Sequence, residues 1–134
     1  MQALLLVLIG ALPAAQLAPP APDAIRTLIE AHDYAGAEQA IQAELQRSPR
    51  WETGHLLLAQ IYSQSRRHEL ARTSALAALR IRESLDALML LAVSAMELGR
   101  LNESIEWLEK AANRRPDHAE IYRILGLDYA LGEM

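Results

Sequence analysis

The side chains able to do chemistry are four histidines, a scatter of serines and 17 carboxylates. His32, His55, His68 and His118 are far apart, and none is followed three or four residues later by His, Asp or Glu. His68 and Glu69 are neighbours, so a helix would send them to different sides. A metal needs three or four converging ligands, and ordinary surface histidines are expected instead. Ser48, Ser63, Ser65, Ser74, Ser84, Ser94 and Ser104 have no triad-like context. HExxH, GxSxG and a phosphate-cradling glycine loop are all absent. With no cysteine, disulfides and thiolate chemistry are excluded. The residues therefore describe a protein that is not an enzyme and takes no cofactor or metal.

The elements that would position these residues are helices. Hydrophobic residues make up 51% of the 134-residue chain, yet aromatics only 4%, and Phe is missing. Leu and Ala must carry the core, a mix that suits helices packed through small contacts. Net charge is −4 with no basic stripe, which excludes a nucleic-acid surface. Lys110 is the only lysine, a bias that fits a GC-rich bacterial source. Hydrophobic spacing predicts seven helices. Asp23 caps a short one running to Ala31, and Tyr34 to Arg47 makes the second, stopped by Pro49. Glu52 to Gln64 and His68 to Arg82 follow. Ser84 caps a fifth that ends at Gly99, Leu101 to Arg114 is the sixth, and Asp117 with Glu120 forms a capping box opening the seventh.

Residues 1–17 read as a leader. Ala3 to Ile9 is an unbroken apolar run, continued to Leu12 and followed by small residues at Ala14, Ala15 and Ala18. A signal peptide has an apolar stretch of about 7–15 residues before its cleavage site. Cleavage after Ala14 or Ala15 is expected, although the leader has no Lys or Arg. An uncleaved membrane anchor is the first alternative, but a spanning helix wants about 20 apolar residues. A buried N-terminal helix is the second. Residues 18–22 (APPAP) form an extended proline-rich linker.

From residue 23 onward the chain repeats. Aligned on Pro49 and Pro116, units start at Ala18, Glu52, Leu85 and Ala119, at spacings of 34, 33 and 34. The eighth positions are Ile25, Ala59, Ala92 and Gly126; the twentieth are Ala37, Ala71 and Ser104; the twenty-seventh are Glu44, Ala78 and Ala111. Small residues recur because helices at the short end of the 8–10 Å separation leave no room for larger ones. Larger residues fill the flanks: Leu58, Leu91 and Leu125, Tyr62 and Tyr129, Ile41 and Leu108. The pattern Leu58-Ala59-x-x-Tyr62 with Ala71 and Ala78, Leu91-Ala92 with Gly99 and Pro116, and Tyr122-x-x-Leu125-Gly126-x-x-Tyr129 resembles the tetratricopeptide repeat family. The resemblance implies an all-α, tetratricopeptide-like α-α superhelix, a right-handed solenoid of helix–turn–helix units at 23–49, 52–83, 85–116 and 119–134. Two departures stand out. Glu44 replaces a small residue, which implies looser packing of unit 1 on unit 2, and Arg66 stands where the turn glycine usually sits.

In this resemblance the first helix of each unit lines a concave groove. The residues carried onto it are Leu56, Gln60 and Ser63 from unit 2, then Met89, Val93, Met96 and Glu97 from unit 3, then Arg123 and Leu127 from unit 4. Thr53, Gln64, Asp86, Glu120, Ala130 and Leu131 hold further groove positions, and unit 1 adds Arg26, Ile29 and Glu30. Some relatives clamp acidic chaperone tails with Lys, Arg and Asn, but Leu56, Gln60 and Leu90 stand at those positions here. Met89 and Met96 can adapt to an apolar peptide or can simply pack on neighbouring helices. The expected function is an exported, periplasmic or secreted scaffold that binds a protein or peptide partner. The alternative is a non-catalytic repeat region of a larger multidomain enzyme or envelope assembly or transport machine. The seventh helix is apolar around most of its circumference, with Glu120, Arg123 and Asp128 marking one polar side. Self-association through that uncapped helix is expected.

Overall fold

The computed structural model describes residues 22–134, and the expected leader and most of the proline-rich linker lie outside them. Seven helices follow in order: α1 (Pro22–Glu30), α2 (Tyr34–Arg47), α3 (Glu52–Gln64), α4 (His68–Ile81), α5 (Leu85–Glu97), α6 (Leu101–Arg114) and α7 (Ala119–Gly132). Among the described residues there is no strand. No helix among them is long and apolar enough to cross a membrane. The arrangement is an all-α superhelix of helical hairpins, with each helix packed on its neighbours in sequence and the first helices α3 and α5 also in direct contact.

Local chemistry sets the helix boundaries. Asp33 caps α2 by accepting from Gly36 N–H at 3.1 Å, and Ser84 caps α5 by accepting from Ala87 N–H at 3.2 Å. Two expected caps do not form. Pro22 opens α1, a position where its missing N–H costs nothing, so Asp23 lies inside the first turn. The Asp117–Glu120 box is absent because His118 is the N-cap of α7, and it makes no side-chain cap bond. Asp117 instead accepts from Arg115, while Glu120 pairs with Arg123.

Three hairpins turn in the same way. His32, Arg66 and Gly99 hold the fifteenth position of their units and have φ of 59°, 63° and 76°. Each turn makes the same two backbone bonds: Asp33 N–H to Leu28 O and His32 N–H to Ile29 O, Arg67 to Tyr62 and Arg66 to Ser63, Arg100 to Ala95 and Gly99 to Met96. This is the Schellman pattern, which satisfies the last carbonyls of a helix through one left-handed residue. Only Gly99 adopts that conformation without a Cβ penalty. The turn is therefore dictated by packing, and Arg66 and His32 are held in it against their own preference.

The core rests on small residues. Ala37, Ala59, Ala71, Ala75, Ala78, Ala92, Ala95 and Ala111 are fully buried. One cluster joins units 1 and 2 around Ile25, Ile41, Leu58, Ile61 and Tyr62. A second joins units 3 and 4 around Leu88, Leu108, Ile121 and Ile124. Ala59, Ala75 and Leu91 form a third cluster, with Leu79 and Trp107 packed against both it and the second cluster. The junction between α2 and α3 is the sparsest of the three inter-unit contacts. Glu44, buried to 4% exposure there with Arg47 at 3.8 Å, takes up space that an alanine would leave for close approach.

Helix α7 departs from expectation at one residue. Asp128 does not join Glu120 and Arg123 on the polar side. It is fully buried and accepts a hydrogen bond from Ser104 Oγ on α6. The reason is helical period: Asp128 follows Ile124 by four residues and Ile121 by seven, so all three face inward. The other Asp128 oxygen, Oδ1, has no partner among the described residues. Tyr122, Leu127, Tyr129 and Leu131 are exposed, as is Gly126. At the positions of Gly126 and Tyr129, units 2 and 3 bury Ala59 and Ala92, and Tyr62 and Ala95.

Two stability measurements check this account. In urea denaturation, Gly99→Ala is expected to lose about 1 kcal/mol, whereas Arg66→Gly gains up to about 1 kcal/mol by removing a left-handed Cβ. Ser104→Ala is expected to cost about 1–3 kcal/mol by stripping Asp128 of its buried donor. Asp128→Asn keeps an acceptor for Ser104 Oγ, so its cost is expected to be smaller than that of Ser104→Ala.

Candidate functional site

The side of the array lined by first helices carries two adjoining hollows. Units start every 33 or 34 residues, so the same helical positions of α3 and α5 come side by side. Between these helices lies a hollow of about 490 Å³. Half-buried Leu56, Leu57, Met89, Leu90 and Val93 make its floor, and exposed Thr53, Gln60 and Asp86 its rim. A second hollow of about 470 Å³ lies between unit 1 and α3, lined by Arg26, Ile29, Glu30, His32, Tyr34, Thr53, Leu57, Gln60 and Gln64. Thr53, Leu57 and Gln60 belong to both, so the two form one trough across units 1 to 3.

Of the expected groove residues, Leu56, Gln60, Met89 and Val93 meet in the first hollow, with Thr53 and Asp86. Arg26, Ile29, Glu30 and Gln64 meet in the second. Ser63, Met96, Glu97, Arg123 and Leu127 line neither. Met96 packs against the core cluster of units 3 and 4. Glu97 has an oxygen 3.9 Å from His68 Nε2, at the start of α4. Arg123 is held by Glu120 through an Nε bond of 2.8 Å, and Leu127 is exposed on α7, beyond the trough. The floor also contains Leu57, which is not among the expected groove residues, and Leu90, named above only as a clamp position of relatives. Their signal was present: both hold the sixth position of their units, directly after the groove residues Leu56 and Met89.

The trough combines apolar and polar groups. Its floor is apolar and its rim offers hydroxyl, amide and carboxylate groups. Among the described residues, no group of three or more His, Asp or Glu side chains could hold a metal.

The sequence pattern of the tetratricopeptide repeat family matches residues 23–86 and again residues 56–119. The chain belongs to the tetratricopeptide repeat family. Among curated proteins, none matches the chain in sequence. Solved structures of similar fold include the first TPR of Spaghetti (RPAP3) bound to the HSP90 peptide SRMEEVD. That likeness has a TM-score of 0.80 at 13% identity, covering 84% of this chain and 90% of that one. The second TPR domain of human RPAP3, in complex with the HSP70 peptide SGPTIEEVD, gives 0.76 at 16% identity over 80% and 90%. MamA from MSR-1 gives 0.72 at 17% identity over 79% and 62%.

Ion pairs link successive repeats. Arg67 and Arg100 directly follow the left-handed residue of their turns, and each reaches back to the preceding unit. Arg67 Nη2 donates to Glu38 at 2.9 Å, and Arg100 pairs with Glu69. Arg67 also lies 4.7 Å over the Tyr62 ring, whose hydroxyl donates to Glu38 at 3.0 Å. The Arg67 hydrogen bond holds Glu38 below the ordinary carboxylate range. Burial, then the Glu38 carboxylate, pushes the Tyr62 hydroxyl up. Between units 2 and 3, Arg72 Nε donates to Glu103 at 2.8 Å and holds that carboxyl down.

Carboxyl groups depressed in the folded state stabilise it above their unfolded pKa, and that contribution disappears as pH falls through the folded value. Stability of this tetratricopeptide array is therefore expected to drop as pH falls below the ordinary glutamate value of 4.5. The check is the urea midpoint as a function of pH. Glu103→Gln is expected to flatten the profile and to cost no more than about 1 kcal/mol at neutral pH, because the pair is partly solvated.

Proposed function

We propose that this tetratricopeptide protein is an exported interaction scaffold that binds a peptide or protein segment in the trough across units 1 to 3. The observation that carries this reading is the continuity of the two hollows through Thr53, Leu57 and Gln60. An extended or helical segment laid along the first helices would cover both. Structures of the same fold with bound peptides support peptide recognition as the mode. Support for the non-catalytic character comes from the family and from the absence of a catalytic constellation in the sequence. Support for export comes from the apolar run of Ala3 to Ile9 followed by Ala14, Ala15 and Ala18. The residues at the acidic-tail clamp positions, Leu56, Gln60 and Leu90, offer no cation, so the partner differs in kind from the peptides held by those neighbours.

A second reading is that the chain acts as the repeat region of a larger enzyme or envelope assembly machine, or associates with itself. The exposed Tyr122, Leu127, Tyr129 and Leu131 on α7 favour it.

A photo-crosslinking residue at Gln60 is expected to capture a specific partner in the native cell, while one at exposed Arg80 is not. Equal labelling from both positions would sink the trough as the binding site. N-terminal sequencing of the mature protein is expected to begin at Ala15 or Gln16, and an intact Met1 would remove the cleaved-leader reading.

A further inference from the structure

We infer that the trough selects a segment in which an apolar side chain is followed closely by Lys or Arg, the apolar group entering the hollow between α3 and α5 and the cation settling on Asp86. The inference rests on the reading of the trough as a peptide site and names the chemistry of its partner.

Charge at the rim carries the argument. Among the residues lining the first hollow, Asp86 alone is charged. It is exposed and forms no ion pair among the described residues. The cation that Asp86 influences, Arg82, is already committed: its Nε and Nη2 donate to the two Glu52 oxygens at 2.9 and 3.2 Å. The Glu52 hydrogen bond is the main reason its pKa is raised, and Asp86 contributes least. A carboxylate at the edge of an apolar hollow is therefore left for solvent or for a ligand.

The rest of the trough does not reverse this sign. Arg26 and Glu30 line the second hollow together, so their charges offset. Outside the trough, on α7, Arg123 is paired with Glu120. A segment that brings an anion to the first hollow meets like charge from Asp86 and finds no uncommitted cation there. An apolar segment without a cation would cover Asp86 and strip water from it without compensation, which is unfavourable. A cation beside the apolar anchor removes that cost and adds attraction on approach.

The position of Asp86 in the first turn of α5 also suits the helix dipole. That explains an acidic residue in this turn but not its place on the hollow, so the test must separate the two roles. Random twelve-residue peptides displayed on phage are selected on the full chain, on Asp86→Asn and on Asp86→Lys, with thermal melts confirming that each variant folds. Peptides enriched on the parent chain are expected to pair an apolar residue with a nearby Lys or Arg. Their affinity is expected to fall about three- to tenfold on Asp86→Asn, a change of up to about 1.4 kcal/mol. Asp86→Lys is expected to enrich acidic peptides instead. If parent-selected peptides compete with crosslinking from Gln60 but carry no basic bias, or keep their affinity on both variants, the inference fails while the trough remains a peptide site. If nothing is enriched on any chain, the trough reading fails and this inference falls with it.

Discussion

The structure depends on close approach of helices through alanine. Ala59 on α3, Ala71, Ala75 and Ala78 on α4, Ala92 and Ala95 on α5 and Ala111 on α6 are all removed from solvent. A methyl group at each contact lets two backbones reach the short end of their packing range, and larger residues one turn away then interdigitate. Ala59, Ala75 and Leu91 form a cluster of their own where α3, α4 and α5 meet. A larger side chain there would push α3 from α5 and open the floor of the hollow between them. The groove is thus a consequence of the core, since the same pair of helices supplies both.

Once the helices are this close, the turns have little freedom. His32, Arg66 and Gly99 take the same left-handed conformation although only one is glycine. Tertiary packing overrides local preference at the other two. The residue after two of these turns is an arginine, Arg67 or Arg100, and it bonds a glutamate of the preceding unit. Turn geometry aims the guanidinium, and the ion pair ties successive units together. These pairs are partly exposed, so they fix register more than they add stability.

Buried polar groups follow the same logic of position over type. Asp128 lies inside because its helix places it there, and Ser104, at a small-residue position, supplies its hydrogen bond. Glu44 is buried at another small-residue position, and the junction around it is the sparsest. On α7 the pattern runs the other way. Tyr129 is exposed although Tyr62, at the same position of unit 2, is buried, because no helix covers that side of α7 among the described residues.

The sequence alone determined the architecture: a period of 33 or 34 residues, small residues at fixed positions, two prolines closing units and the bounds of the helices to within about two residues. It did so because packing period and helix stops are written in residue size and backbone chemistry. The groove was legible in part. Leu56, Gln60, Met89 and Val93 share the first hollow, which Leu57 also lines, whereas Ser63, Met96 and Glu97 line neither hollow. Only the tertiary structure decided which first-helix residues share a hollow, that Asp128 is buried, and that Arg82 is spent on Glu52 while Asp86 is left unpaired. Those outcomes depend on the angle between neighbouring helices, and helical period fixes a face but not what stands across from it.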